Sequence, residues 1–234
     1  FYLAYPLEEA PENLGNVDDW QIEYKWDGIR GQIILRNGEI FVWSRGEELV
    51  TERFPELEKL KDLLPTDCVI DGEIMGYKDG FPLTFNHLQT RIGRKKVSKK
   101  IMEDSPVVMI AYDVLEKDGK DLRESSMEER RTILKEIVEK TAANTLLISE
   151  KLEPKSWEEA AKIRETSREV LSEGLMLKRK NSTYKVGRKR GEWYKWKVDP
   201  MSIDAVMMYA MRGHGRRDNL YSYLLHPADP TRAI

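Results

Sequence analysis

The chain has 234 residues, 39 of them Lys or Arg against 41 Asp or Glu, for a formal net charge of −2. That length buries a sizeable core and holds one large domain or a domain and a half, while the near-neutral balance excludes the wholesale basic character of many nucleic-acid binders. A single cysteine, Cys68, excludes an intrachain disulfide and a cysteine metal cluster, and its neighbours Val69 and Ile70 predict a buried strand position. No apolar run approaches the ~20 residues of a membrane span, and no signal peptide is visible. A cytoplasmic protein without membrane contact is the expectation, and an opening at Phe1 rather than methionine reads as an excised fragment.

In chain order, strand-like runs cover residues 21–24, 32–35, 40–44, 69–75 and 107–113, with Asn37-Gly38 as a hairpin signal between two of them. A helix is predicted over 53–63, where Phe54, Leu57, Leu60, Leu63 and Leu64 follow helical spacing and Pro55 stands near the start. A charged amphipathic helix follows over 127–140, capped by Ser126. Another spans 156–167, with Ser156 as N-cap and Glu159 completing a capping box. Strands resume over 174–178 and 192–198. Hairpins and interspersed helices, without regular βαβ repeats, predict an α+β fold of antiparallel sheets flanked by helices. The character changes after Pro200: an apolar strand over 203–211, then Arg212-Gly213-His214-Gly215-Arg216-Arg217, then a strand over 220–225. Two domains are expected, 1–200 and 201–234.

The densest chemistry lies in Glu23-Tyr24-Lys25-Trp26-Asp27-Gly28-Ile29-Arg30. Alternation puts Glu23, Lys25 and Asp27 on one face and Ile22, Tyr24 and Trp26 on the other, and Gly28 would allow a tight turn into the next strand. A lysine among carboxylates and partly buried can serve as a covalent nucleophile. An exposed hairpin with a surface ion pair would look the same in isolation. Further along stand Ser44-Arg45-Gly46-Glu47, Asp71-Gly72-Glu73, Ala111-Tyr112-Asp113-Val114-Leu115, Glu173-Gly174-Leu175-Met176-Leu177-Lys178 and Trp193-Tyr194-Lys195-Trp196-Lys197. Lys195 and Lys197 share a strand face, and two cations aimed at one place suit an anion there.

These six blocks, in this order, resemble motifs I, Ia, III, IIIa, IV and V of the covalent nucleotidyltransferases: ATP-dependent DNA ligases, RNA ligases and capping enzymes. The resemblance implies a nucleotide cleft between sheets, with an OB-fold beginning after residue 200. It implies that Lys25 attacks ATP to form a lysine–AMP intermediate and that AMP passes to a 5′-phosphate before a nick is sealed. It assigns Arg30 and Arg45 to phosphate or ribose, Glu73 and Glu173 to ribose and Mg²⁺, and Tyr112 and Met176 to the two faces of adenine. Glu23 would read the adenine edge by backbone or carboxylate; Lys195, Lys197 and Arg190 complete the nucleotide set. Glu173 and Met176 stand three apart, so both can face one cleft only if the strand bends at Gly174. Asp71 would be a third acidic contributor or a turn residue, and Arg30 and Arg45 could instead pair with Glu47, Glu48 or Glu52.

Two basic runs suggest a phosphate-backbone contact: Arg91, Arg94, Lys95 and Lys96 with Lys99-Lys100, and Lys178-Arg179-Lys180 with Lys185 and Arg188-Lys189-Arg190. Trp43-Ser44-Arg45-Gly46-Glu47, the basic Arg91 to Lys96 block and Val186-Gly187-Arg188-Lys189-Arg190-Gly191 resemble a bacterial class of ATP-dependent DNA ligases. The expected partners are ATP and nicked duplex DNA, and the expected state is a monomer. No R-x-D-K motif VI follows motif V, and the N-terminal DNA-binding domain of that class is not seen. An RNA ligase, a capping-type guanylyltransferase and a non-catalytic nucleotide- or DNA-binding module are the alternatives.

Overall fold

The computed structural model describes residues 1–94, 97–199, 205–212 and 221–227. Two short strands open the chain, β1 (Tyr2–Leu3) and β2 (Tyr5–Pro6), followed by β3 (Trp20–Trp26), β4 (Ile29–Arg36) and β5 (Glu39–Ser44). Helix α1 (Pro55–Glu58) leads to β6 (Cys68–Lys78), β7 (Phe81–Pro82), α2 (Phe85–Ile92) and α3 (Lys99–Asp104). Next come β8 (Val107–Lys117), β9 (Lys120–Asp121), α4 (Met127–Thr141), β10 (Leu146–Ile148), β11 (Lys151–Leu152) and α5 (Trp157–Thr166). Strands β12 (Ser172–Arg179), β13 (Gly187–Arg188), β14 (Trp193–Lys197), β15 (Ala205–Arg212) and β16 (Tyr221–Pro227) complete the described residues.

Two mainly antiparallel sheets organise the chain up to Val198. The larger runs β10-β8-β6-β4-β5, with β7 and β9 paired to its members; the smaller runs β11-β3-β12-β14-β2. Period-two alternation divides each sheet into a core face and a cleft face. Ile33, Leu35, Ile70, Ile74 and Met109 pack with Phe54, Leu57, Leu134 and Ile137 in one core. Ile22, Leu175, Leu177 and Tyr194 pack with Trp157 and Ala160 in another. The intervening positions, Arg30, Glu73 and Tyr112 on one sheet and Glu23, Met176 and Lys195 on the other, line a shared cleft.

Because β3 and β4 belong to different sheets, Asp27 and Gly28 are a crossover, not the expected hairpin turn. Gly28 is required for close approach. A Cβ there would fall on the Ile74 carbonyl oxygen and within 2.7 Å of Met75 Sδ. The hairpin at Asn37-Gly38 does form: both residues have positive φ, 50° and 76°, and Arg36 pairs with Glu39.

The helix expected over 53–63 is instead a 3₁₀ turn (Thr51–Arg53), the single turn α1, and a second 3₁₀ turn (Lys59–Asp62). Phe54, Leu57 and Leu60 repeat every three residues, the 3₁₀ period, and are buried, while Leu63 is 48 % exposed. The helix α4 has the Ser126–Glu129 capping box in both directions. At α5 the box is displaced: Ser156 accepts from the Glu159 amide, but the Glu159 carboxylate accepts from Lys155. Cys68 is buried, and no helix among the described residues is long and apolar enough to cross a membrane.

The contacts divide the chain after Val198. In the second unit β15 and β16 pair as an antiparallel hairpin. Residues 213–220, and with them His214, Arg216 and Arg217, lie outside the described residues, as do Lys95 and Lys96.

Candidate active site

A cleft of about 570 Å³ opens between the sheets. From the smaller sheet it receives Glu23, Lys25, Met176, Lys178, Trp193, Lys195 and Lys197; from the larger, Arg30, Glu73 and Tyr112. Asp27 and Gly28 cross its end, and Arg45, Glu173, Phe85 and Arg188 close the remaining sides.

Lys25 lies with its amine against the Glu173 carboxylate, whose Oε2 also takes Lys197 Nζ at 3.0 Å. Burial opposes ionisation of Glu173, but the hydrogen bonds and charges of Lys25 and Lys197 outweigh it and hold the carboxyl below its ordinary value. Lys195 is pushed down by burial and by the cations Arg188, Lys197 and Lys25. Asp27 is pushed up by burial and by the charge of Glu173. Glu73, with no hydrogen-bond partner described, is raised by burial to about 7 despite Arg30 and Lys25 nearby. Seven Lys and Arg side chains against four Asp and Glu in the lining favour a polyanion in this cleft.

The bend that motif IV required is present. The pairing of β12 with β3 shifts between Ser172 and Leu175, and Gly174 has φ +131°. A Cβ at Gly174 would lie 2.7 Å from Lys197 Cα, so the close approach of β14 also demands glycine. Glu173 and Met176 consequently line the same cleft.

Arg30 reaches the cleft wall but its donors are engaged. Nε and Nη2 hold the Asp71 carboxylate at 3.2 and 2.7 Å, and Nη1 donates to the Tyr2 carbonyl. Asp71 is fully buried in the middle of β6, not at a turn, and also accepts from Tyr184 Oη at 2.6 Å, so its carboxylate is engaged within the cleft wall. It, not Glu47, Glu48 or Glu52, is the partner of Arg30; Glu48 pairs with Arg53. Arg45 is exposed on the loop after β5, where its amide donates to the Arg30 carbonyl. Tyr112 presents its ring to Lys178 Nζ at 4.2 Å and to the Arg30 guanidinium at 5.7 Å.

Three assignments need correction. Arg91 does not present itself to DNA: it is fully buried, forked onto Glu56 at 2.8 and 2.7 Å, with further bonds to the Ser105 and Arg53 carbonyls. Arg190 is exposed and does not line the cleft, whereas Arg188 does. Lys178 is not part of a solvated basic run; it is 1 % exposed and ion-paired to Glu23 at 2.6 Å. The Glu23 carboxylate is occupied by Lys178, Arg131 and Gln21. Arg94 is exposed.

Sequence reasoning missed Lys178, Arg131, Arg188 and Trp193. Lys178 stands two residues beyond Met176 on one strand, so alternation alone could have placed it in the cleft. Arg131 sits among the charges of α4 and carries no such signal.

The family model described as the ATP dependent DNA ligase domain matches residues 2–197. The chain belongs to that family. A probable DNA ligase of Koribacter versatilis (strain Ellin345) is 30 % identical over 95 % of this chain and 42 % of its own length. A DNA ligase of Aeropyrum pernix is 33 % identical over 91 % of this chain and 37 % of its own. The chain thus spans about two fifths of the length of these relatives. Among solved structures, mycobacterial DNA ligase D complexed with ATP and MES superimposes with a TM-score of 0.68, at 28 % identity, over 90 % of this chain and 63 % of that one. The bacteriophage T7 ATP-dependent DNA ligase, in complex with ATP, has a TM-score of 0.61 at 20 % identity over 91 % of this chain and 72 % of that one, a likeness of fold. The two-sheet α+β architecture of this ligase-family chain is the ligase nucleotidyltransferase fold.

Proposed function

We propose that this chain is the adenylylating part of an ATP-dependent DNA ligase. The observation that carries the reading is Lys25, placed in a cation-lined cleft with its amine on Glu173. In that reaction the Lys25 amine, having lost a proton, bonds to the α-phosphorus of ATP. The bond from that phosphorus to the bridging oxygen breaks, and pyrophosphate leaves with the electron pair. A 5′-phosphate oxygen then displaces the lysine nitrogen, and a 3′-hydroxyl oxygen displaces AMP to seal the nick. Lys195, Lys197 and Arg188 suit the dispersed phosphate charge, and Tyr112 and Met176 offer surfaces for the base.

Mg²⁺ fits the residues present. Among the described residues no group of three or more His, Cys, Asp and Glu side chains forms a cation cage, but Mg²⁺ is commonly held by one or two carboxylates plus substrate phosphates. Glu173 and Glu73 would hold it, and it would neutralise charge on the phosphates. Nicked duplex DNA is the proposed partner of a monomer, with the Arg94 region and the Lys185–Arg190 loop as contacts and the β15–β16 hairpin as the start of an OB-fold domain.

The test is incubation with α-labelled ATP or GTP and Mg²⁺, followed by denaturing electrophoresis and peptide mapping. Acid-labile label from ATP on Lys25 is expected. Label from GTP would instead support a capping-type activity, and no label on Lys25 would refute nucleotidyl transfer.

A further inference from the structure

Between α4 and the cleft lies a buried ionic cluster that the chemistry above leaves unused. Glu23 is 1 % exposed and carries two cations. Lys178 Nζ donates to its Oε2 at 2.6 Å, and Arg131 Nη1 donates to its Oε1 at 3.0 Å. Oε1 also accepts from Gln21 Nε2 at 3.1 Å, and the other Arg131 nitrogen donates to the Ser149 carbonyl. Arg131 is therefore fixed at both ends of its fork.

One carboxylate between two cations leaves an excess positive charge where water is scarce, a costly arrangement unless a ligand answers it. Lys178 has three N–H donors, and among the described residues only one has a hydrogen-bond acceptor. The amine lines the cleft, 4.2 Å from the Tyr112 ring centre and 4.9 Å from that of Trp193. Those ring faces favour a cation there but leave its remaining donors to a ligand.

We propose that Arg131 is a positioning residue for base recognition. Together with Gln21 it saturates Oε1 of Glu23 and confines Lys178 to Oε2. Without Arg131, Oε1 is free to take a second Lys178 proton and draw the amine away from the cleft. With Arg131 in place, the ammonium keeps donors for a ring-nitrogen acceptor of a purine lying against Tyr112. Held opposite N1, the ammonium meets an acceptor on adenine and an N–H on guanine; guanine O6 and N7 also accept, so the selectivity lies in confining the amine to the N1 position. The cluster thus favours adenine. This inference rests on the nucleotidyl-transfer reading.

The experiment compares lysine labelling by ATP and GTP in wild type, Arg131→Met and Arg131→Lys, with unfolding midpoints measured alongside. Arg131→Met is expected to raise KM for ATP about tenfold, leave kcat within about twofold, and erode the ATP-over-GTP preference about tenfold, the equivalent of one charge-assisted hydrogen bond. Arg131→Lys keeps a donor for Glu23 and should recover part of the preference. A folded Arg131→Met with wild-type KM and preference, or an equal fall for both nucleotides, overturns the proposal. If Arg131→Met does not fold, Arg131→Lys decides: a weakened preference supports the role and an unchanged one overturns it. A wild type labelled by neither triphosphate overturns the nucleotidyl-transfer reading and this inference with it. A selective wild type with an indifferent variant overturns this inference alone.

Discussion

Replacing Arg91 by alanine separates a structural clasp from a DNA contact. The side chain is fully buried, with four hydrogen bonds: two to Glu56 (2.8 and 2.7 Å), one to the Ser105 carbonyl (2.9 Å) and one to the Arg53 carbonyl (3.1 Å). It also lies over the Phe54 ring at 5.5 Å. Alanine removes these contacts and strands the Glu56 carboxylate and two carbonyls. Breaking a buried pair by removing one partner costs about 3–5 kcal/mol. Glu56 retains 16 % exposure, so water can partly replace the guanidinium and the lower end, about 3 kcal/mol, is the expectation. In a protein of this length that lowers the thermal midpoint by about 6–12 °C. Adding Glu56→Gln should recover part of the loss, because no carboxylate is then left unpaired. Thermal unfolding followed by circular dichroism measures both. The binding of nicked duplex to the folded variant, titrated against salt, should keep its wild-type slope. An unchanged midpoint, with a slope reduced by about one unit, would show that Arg91 meets a phosphate and that the clasp reasoning is wrong.

Lys25→Ala should abolish covalent nucleotide attachment with little change in unfolding midpoint, since the lysine lies in the cleft and not in either core; wild-type-like labelling of another peptide in the variant would move the nucleophile. Gly28→Ala should destabilise by about 1–3 kcal/mol or more, because its Cβ meets the Ile74 backbone carbonyl oxygen, which cannot swing aside as the Met75 and Glu73 side chains can; a midpoint equal to wild type in denaturant titration would contradict the close approach. Glu73 titrates at about 7 in the fold against 4.5 ordinarily. The native state therefore binds more protons between those values, and stability should fall as pH rises from 4.5 to about 7 and then level off. Glu73→Gln should flatten that dependence and exceed the wild-type midpoint at pH 8 in metal-free buffer; parallel pH profiles for the two proteins would count against the burial argument.

What the sequence made legible follows the rule of alternation. Ile22 and Leu177 stand on core faces and Glu23, Lys25, Lys195 and Lys197 on cleft faces because a strand has only two sides. Turn chemistry was equally local, as at Asn37-Gly38. The two misread cations share one cause: the decisive partner is distant in sequence. Arg91 in Arg91-Ile92-Gly93-Arg94 reads as solvated charge until Glu56 is brought against it, 35 residues away. Lys178 in Lys178-Arg179-Lys180 reads likewise, yet its carboxylate is Glu23, 155 residues away. A buried cation and a surface cation are written with the same letter, and only a countercharge from another element distinguishes them.

Gly28 shows the same limit for a residue with no charge. A glycine between two strands has two local uses, a turn or a close approach, and the local sequence favours the first. Which one operates depends on whether β3 and β4 share a sheet, and they do not. The crossover then has a chemical consequence. Asp27 is carried to the junction of the sheets, where the charge of Glu173 adds to burial in holding its carboxyl up. The backbone at Gly28 passes close enough to Ile74 to bring β6, and with it Glu73, to the opposite wall from Lys25. The octet thus contributes more than a nucleophile: its glycine sets the approach of the two sheets, and that approach places both carboxylates, Glu173 and Glu73, where one substrate could meet them.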